Sequence, residues 1–200
     1  MASGAGIRMG RQKLLLPLGG KPLLGHVLTA VAALPLADAV AVIGEPQDEL
    51  ADLCYRHGIR SVYNPARETG QASSIRLGLE TIAPDLEGIL FLTGDQPFLP
   101  TDLLDRLLQR FTELDDSRCI VLPGYNGENR SPVLFGAYWY PDLRALTGDG
   151  GGRSIVRHWP QHVHTVEWED KSAFWDADTW DEYQQLVEYE KERNHVQHTD

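Results

Sequence analysis

The chain's 200 residues include 18 Lys and Arg against 29 Asp and Glu, a formal net charge of −11. A surplus of that sign argues against nucleic acid and anionic membrane as partners, since both call for a basic surface. The length suits one domain with a sizeable core.

Cys54 and Cys119 stand in no CxxC or Cys/His spacing, so they suggest no zinc site and read as reduced buried thiols. The longest apolar region, 27–44, is interrupted by Pro35 and Asp38 and splits into a helix and a strand rather than a membrane span. No leader pattern opens the chain, and a cytoplasmic location is expected.

The first stretch, MASGAGIRMGRQKLLLPLGGKP, sets five glycines among Arg8, Arg11, Lys13 and Lys21. Gly4, Gly6 and Gly10 let backbone N–H groups approach an anion, and the cations can follow a polyphosphate. A surface turn feeding a helix fits the same residues. GAGIRMG is off by one from GxGxxG, no acidic residue follows about 20 positions on to meet a ribose, and GxxxxGK[ST] is absent.

Next, 22–34 has helical spacing with Pro22 in its first turn, and 39–43 (AVAVI) is the continuous apolar run of a strand buried on both faces. A helix at 47–57, stopped by Gly58, and a strand at 59–63 continue the alternation of βαβ units. His26 and His57 read as surface or satisfied histidines. In NPARETGQASSIRLGL, 64–79, a turn leads into a helix beginning near Gln71. Gly70, Ser73 and Ser74 then fall at its N-terminus, where free N–H groups attract anions. A serine-capped helix is the plain alternative.

GILFLTGDQP, 88–97, is a buried strand with Asp95 in the loop at its carboxyl end, where open α/β sheets bind ligands. Capping of the helix at 101–114 is the competing role for that aspartate. A strand at 119–122, a hairpin within PGYNGENRSPVLFG and a strand at 132–135 follow. A helix at 138–146 then leads to TGDGGGR, 147–153, whose Arg153 either offers a bidentate fork to a phosphate or merely closes a flexible turn. His158, His162 and His164 lack metal-ligand spacing. In WDADTWDEY, 175–183, extended backbone puts Asp176 and Asp178 on one side. Asp178 and Thr179 equally suit a cap for the last helix. That helix is expected to give way to a frayed tail over about 185–200. No repeat or linker divides the chain, and a single domain over 1–200 is expected.

Taken in order, MASGAGIRMGRQKLLLPLGGKPLL, NPARETGQASSIRLGL, GDQP, PGYNGENRSPVLF, LTGDGGGR and WDADTWDEY resemble the motifs of MobA-like nucleotidyltransferases. They look most like the molybdenum cofactor cytidylyltransferases. The resemblance implies a three-layer, Rossmann-like α/β fold, a mostly parallel sheet with helices on both faces. Met1 stands where such proteins end their first strand, so that strand is expected to be truncated: either the start lies upstream or the strand is absent.

The resemblance also implies roles. Arg8, Lys13, Lys21 and Asp95 are the catalytic set. Ala2, Ser3, Gly4, Gly6, Gly10, Gly70, Ser73 and Ser74 hold the nucleotide. Asp95 with Asp176 and Asp178 binds Mg²⁺, Asp176 being the better partner and Asp178 a second ligand or a cap. Arg130, Pro132, Asp149 and Arg153 face the acceptor, although Arg130-Ser131 replaces the usual Arg-Gly or Gly-Asn pair.

The implied reaction moves CMP from CTP to the terminal phosphate of molybdopterin or its molybdenum form and releases pyrophosphate. Guanylyl-transferring relatives resemble LAGG at the third loop position and cytidylyl relatives LAAG; Ser3 matches neither, but its side chain is nearer the second. GTP as donor, another phosphorylated acceptor, or a non-catalytic accessory role for a client molybdoenzyme stay open.

Overall fold

The computed structural model describes residues 12–197. Ala2, Ser3, Gly4, Gly6, Arg8 and Gly10 therefore lie outside the described residues. A short antiparallel hairpin, β1 (Pro17–Leu18) and β2 (Lys21–Pro22), leads into α1 (Leu23–Ala32), whose entry is set by the extended backbone of Pro22. β3 (Val40–Ile43), α2 (Gln47–Arg56) and β4 (Arg60–Tyr63) form the first βαβ unit, with β3 and β4 paired in parallel. α3 (Gln71–Thr81) then leads to β5 (Gly88–Phe91).

α4 (Thr101–Leu114) buries Leu103, Leu104 and Leu107 completely and turns Asp102, Asp105 and Arg106 outward, the spacing of a one-sided apolar stripe. It feeds β6 (Ile120–Tyr125), which is buried along nearly its whole length, as a strand covered on both faces must be. β7 (Glu128–Asn129) folds back on β6, and β8 (Val133–Gly136) fits between β5 and β6, antiparallel to both. α5 (Tyr140–Ala145), α6 (Arg153–His158), β9 (Val163–Glu167) and α7 (Trp180–Gln197) complete the chain. β9 adds to β6 in parallel. β5, β6 and β9 thus run one way, with β8 and the short β7 reversed, and β3 and β4 run parallel to each other.

Alternation along the strands assigns the layers. Ala41 and Ile43 pack with Leu24 and Leu28 of α1 and Leu50 of α2. Val42, between them, points the other way, towards Gly78 of α3. In β6, Val121 joins α4, whereas Ile120 and Leu122 join α3 and α5. Helices therefore cover both faces. Cys54 lies in the α1–α2 side of the core and Cys119 in the α4 side, both fully buried. Burial pushes each thiol up to about 11.

Between β3 and β5 lies an apolar cavity of about 130 Å³, lined by Leu24, Val27 and Leu28 of α1, Val40 and Val42 of β3, and Leu90 of β5. Among the described residues β3 pairs only with β4, and β5 only with β8.

The structure differs from the sequence reading in three places. α6 and β9 arise where only a glycine-rich loop and scattered histidines were read. α7 stays helical through 185–197, the segment read as a frayed tail, because Leu186, Val187 and Tyr189 pack on Leu18, Phe98 and Trp175. The strand read at 119–122 extends to Tyr125 because β7 and β9 pair with its second half. Among the described residues, no helix is long and apolar enough to cross a membrane.

Candidate active site

Lys13 opens a single 3₁₀ turn, Lys13–Leu15. Gln12 fixes that turn from both sides: its side-chain oxygen accepts from the Leu14 amide, and its side-chain nitrogen donates to the Glu45 carbonyl just beyond β3. So held, the Lys13 ammonium donates to Asp95 Oδ2 and to Asp178 Oδ1, each at 2.6 Å. The three residues come from distant parts of the sequence. Lys13 and Asp95 are 13 % and 18 % exposed at their side chains and Asp178 is 51 % exposed, so the cluster opens to solvent on the Asp178 side.

Burial alone would lower the Lys13 pKa, but the charges and hydrogen bonds of Asp95 and Asp178 outweigh it and hold the ammonium above its ordinary value. The Asp176 pKa is raised above its ordinary value, by desolvation first and then by the negative charges of Asp95 and Asp178. Three carboxylates thus crowd one cation.

Local chemistry explains why Asp178 is available. Thr179 and Glu182 form a capping box: Glu182 Oε2 accepts from the amides of Asp178 (2.9 Å) and Thr179 (2.7 Å), and Thr179 Oγ1 accepts from the Glu182 amide at 3.3 Å. The backbone amide of Asp178 serves the cap, which leaves its carboxylate to meet Lys13. On the other side, buried Gln96 accepts from the Thr93 hydroxyl at 3.0 Å and shapes the turn bearing Asp95.

The start of α3 shares a cavity with Thr93, in the loop that carries Asp95. Asn64, 2 % exposed, donates to both Ser73 Oγ and Ser74 Oγ at 2.9 Å, and Ser73 Oγ donates to the Gly70 carbonyl. The serines are buried inside the first turn and do not cap it; the N-cap is Gly70. Gly70 adopts φ 103° and ψ 175°, and a Cβ there would stand 2.5 Å from the carbonyl carbon and oxygen of Gly148. The Ala72 amide donates to that same carbonyl at 3.0 Å. The glycine-rich loop is thereby clasped to α3.

Through this clasp Asp149 and Arg153 reach a cavity of about 240 Å³, with Phe91, Val133 and Phe135 as its apolar side and Gln71, Thr93 and Ser131 among its polar lining. Thr93 belongs to the loop that carries Asp95, so this cavity adjoins the Lys13 cluster. Arg130 turns away towards its own hairpin: it donates to Glu128 at 2.5 Å and lies 6.0 Å from the Tyr125 ring centroid, while its buried Nε has no hydrogen-bond partner among the described residues. Pro132 follows a cis peptide from Ser131. Lys21 is exposed on β2, in a different hollow with His26, Phe98 and Arg193. His158 and His162 pack against Trp159 and Trp139. Sequence reasoning singled out Lys13, Asp95, Asp176 and Asp178 but passed over Asn64, Gln71, Thr93 and Gln96. The asparagine of NPARETG and the glutamine of GDQP were the available signals.

Among the described residues, no three His, Cys, Asp or Glu side chains are arranged as a ready metal shell. Asp95 and Asp178 nonetheless converge on one cation, with Asp176 close enough to feel both. A few carboxylates completed by phosphate and water oxygens are the donor set that magnesium takes. The carboxylates present are of the kind that suits a divalent cation.

The comparisons agree with this architecture. The curated bifunctional protein GlmU of Parvibaculum lavamentivorans is 33% identical over 68% of this chain and 30% of its own length. The molybdenum cofactor guanylyltransferase of Rhodobacter capsulatus is 38% identical over 54% of each chain. The chain thus spans about a third to a half of these curated relatives. The solved structure of Rv0371c from Mycobacterium tuberculosis H37Rv is 26% identical, with a TM-score of 0.80 and 94% of both chains covered. A structure of that protein in complex with manganese aligns with a TM-score of 0.76 at 24% identity, covering 94% of this chain and 95% of that one. The family described as the MobA-like NTP transferase domain matches residues 1–166, and the chain belongs to that family.

Proposed function

We propose that the protein transfers CMP from CTP to the terminal phosphate of molybdopterin or molybdenum cofactor, releasing pyrophosphate. The observation that carries the reading is the convergence of Lys13, Asp95 and Asp178, with Asp176 beside them, at the carboxyl ends of the strands. That is one cation and several carboxylates in a half-open cleft, next to a cavity with its own arginine. Phosphoryl chemistry needs little covalent help; it needs reactants held in line and charge balanced as it moves. The acceptor phosphate is ionised at neutral pH, so no general base is required.

Lys13 neutralises charge on the departing phosphates. Asp95 and Asp178, with Asp176 as their neighbour, would hold a divalent cation, which when bound supplies Lewis-acid polarisation of the α-phosphate. Asn64 and the Gly70–Gly148 clasp hold the nucleotide-side turn in place. Arg153 and Asp149 orient the acceptor. Phe91 and Phe135, 6.0 Å apart between ring centroids, supply an apolar side against which a flat ring system can lie. CTP is favoured by the side chain at Ser3. Transfer of GMP from GTP is the second reading, favoured by the Rhodobacter capsulatus relative.

The test is pyrophosphate release with Mg²⁺ and molybdenum cofactor, comparing CTP, GTP, ATP and UTP. Release with CTP above the others is expected. Release with GTP alone would transfer the conclusion to the second reading. No release with any nucleotide from folded protein would overturn both.

A further inference from the structure

α3 meets the glycine-rich loop at two points one helical turn apart. The Ala72 amide, in the first turn, donates to the Gly148 carbonyl at 3.0 Å. Arg76 Nη1 donates to the Leu146 carbonyl at 2.6 Å. As α3 advances from 72 to 76 the loop retreats from 148 to 146, so the two run antiparallel. Four helical residues rise about 6 Å, close to the roughly 6.6 Å that two extended residues can span, and the two bonds match in spacing.

The chemistry of Arg76 suits the second point. α5 ends at Ala145, and Leu146 leaves it in extended backbone, φ −58° and ψ 146°. The last carbonyls of a helix have no partner within it and form the negative end of its dipole, so a cationic donor is favourable there. Arg76 supplies that donor from 70 positions away. Among the described residues it pairs with no carboxylate, and its guanidinium is spent on this one carbonyl.

From Leu146 the chain passes directly to the acceptor side. Asp149 and Arg153 line the cavity of about 240 Å³, to which Arg76 itself contributes no lining. Between them, Gly152 sits so close to Phe135 that an added Cβ would stand 2.9 Å from its ring. The placement of this loop therefore decides where Asp149 and Arg153 point. The donor-side turn is held separately, by Asn64 on Ser73 and Ser74 and by Ser73 on the Gly70 carbonyl.

We propose that Arg76 is a positioning residue for the acceptor, holding the loop of Asp149 and Arg153 against α3 through the Leu146 carbonyl; this role rests on the transferase reading above. Without Arg76 the loop loosens at Leu146, while the Ala72–Gly148 bond and the donor-side turn stay in place. Recognition of the acceptor suffers and that of the donor does not.

The test compares Arg76→Met, an unbranched apolar stem without the donor, with Arg76→Lys, which restores one cationic donor. With CTP and molybdenum cofactor, Arg76→Met should raise the KM for the acceptor about tenfold, with the KM for CTP within about twofold and kcat within about threefold of wild type. Arg76→Lys should recover most of the acceptor KM. The amides of Ile155 and Val156, which donate to the Gly152 carbonyl, should exchange at least about fivefold faster in Arg76→Met, whereas that of Leu79 in α3 should not change. Equal rises in both KM values, a fall in kcat alone, loss of the folded state in Arg76→Met, or a lysine variant no better than the methionine one would overturn the proposal. If wild type releases no pyrophosphate with any nucleotide, the transferase reading falls. Faster exchange at Ile155 and Val156 that lysine reverses would then still uphold Arg76 as the residue that holds the loop, and unchanged exchange would overturn that as well.

Discussion

Replacing Gly70 by Ala tests the clasp between α3 and the glycine-rich loop. At φ 103° and ψ 175° this residue occupies a backbone region essentially reserved for glycine, and forcing another residue into it costs about 1–3 kcal/mol. The new Cβ would also stand 2.5 Å from the Gly148 carbonyl and 2.6 Å from Asp149 Oδ1. Two of these obstacles are backbone atoms, so the loop must move rather than a side chain rotate. Together the strain and the displacement should cost about 3 kcal/mol, a fall in melting temperature of roughly 6–12 °C for a chain of this size.

Gly58→Ala is the control. Gly58 also has a positive φ, 71°, but a Cβ there meets nothing within 4 Å. Its cost should be about 1 kcal/mol, or roughly 2–4 °C. Thermal melts of both variants, with nucleotide affinity measured alongside, make the comparison. Gly70→Ala should also weaken nucleotide binding, since the clasp that holds the nucleotide-side turn opens. A fall no larger than that of Gly58→Ala would refute the clasp.

Four further outcomes are expected. Asp95→Ala should reduce pyrophosphate release by about 10²–10³-fold with the fold retained by circular dichroism, and unchanged turnover would remove Asp95 from the reaction. Asp176→Asn should melt above wild type at pH 7 in the absence of metal. The folded pKa of Asp176 lies above 3.8, so the native state binds its proton more tightly and loses stability as pH rises from 3.8 through that folded pKa. The advantage of the variant should accordingly vanish below pH 3.8, and a pH-independent difference would contradict it. Glu182→Ala dissolves the capping box and should cost about 1 kcal/mol, roughly 2–4 °C, whereas an unshifted melt would show that the cap contributes nothing. Ser3→Gly should shift donor preference from CTP towards GTP in competition assays; an unaltered ratio would place base selection elsewhere.

Much of this architecture is legible in the sequence because its signals are local. Apolar runs at 39–43 and 88–91, Gly58 after α2, and the one-sided leucines of α4 each specify an element without reference to the rest of the chain. The same is true of Asp95, which follows a buried strand, and of the aspartate pair near the last helix. What sequence periodicity does not carry is pairing. β9 is recognisable only because β6 offers it an edge, and α7 persists beyond 185 only because Phe98 and Trp175 receive its apolar side chains. The serines of α3 are read as anion-facing from their position alone, whereas Asn64 from the preceding strand end turns their hydroxyls inward. Lys21 is grouped with Lys13 by motif, yet the hairpin of β1 and β2 carries it into another hollow.

The two thiols give the molecule a built-in record of its own breathing. Each is buried and held near 11, so at neutral pH a labelling reagent finds almost no thiolate until the surrounding structure opens. Cys54 belongs to the α1–α2 packing and Cys119 to the α4 packing, with the β3–β5 cavity in the sheet between them. Equal labelling rates mean the two halves open together as one cooperative unit. Faster labelling of Cys54 means that the β3–β4 half separates first along the cavity, and the ratio of the two rates measures how firmly the halves are joined.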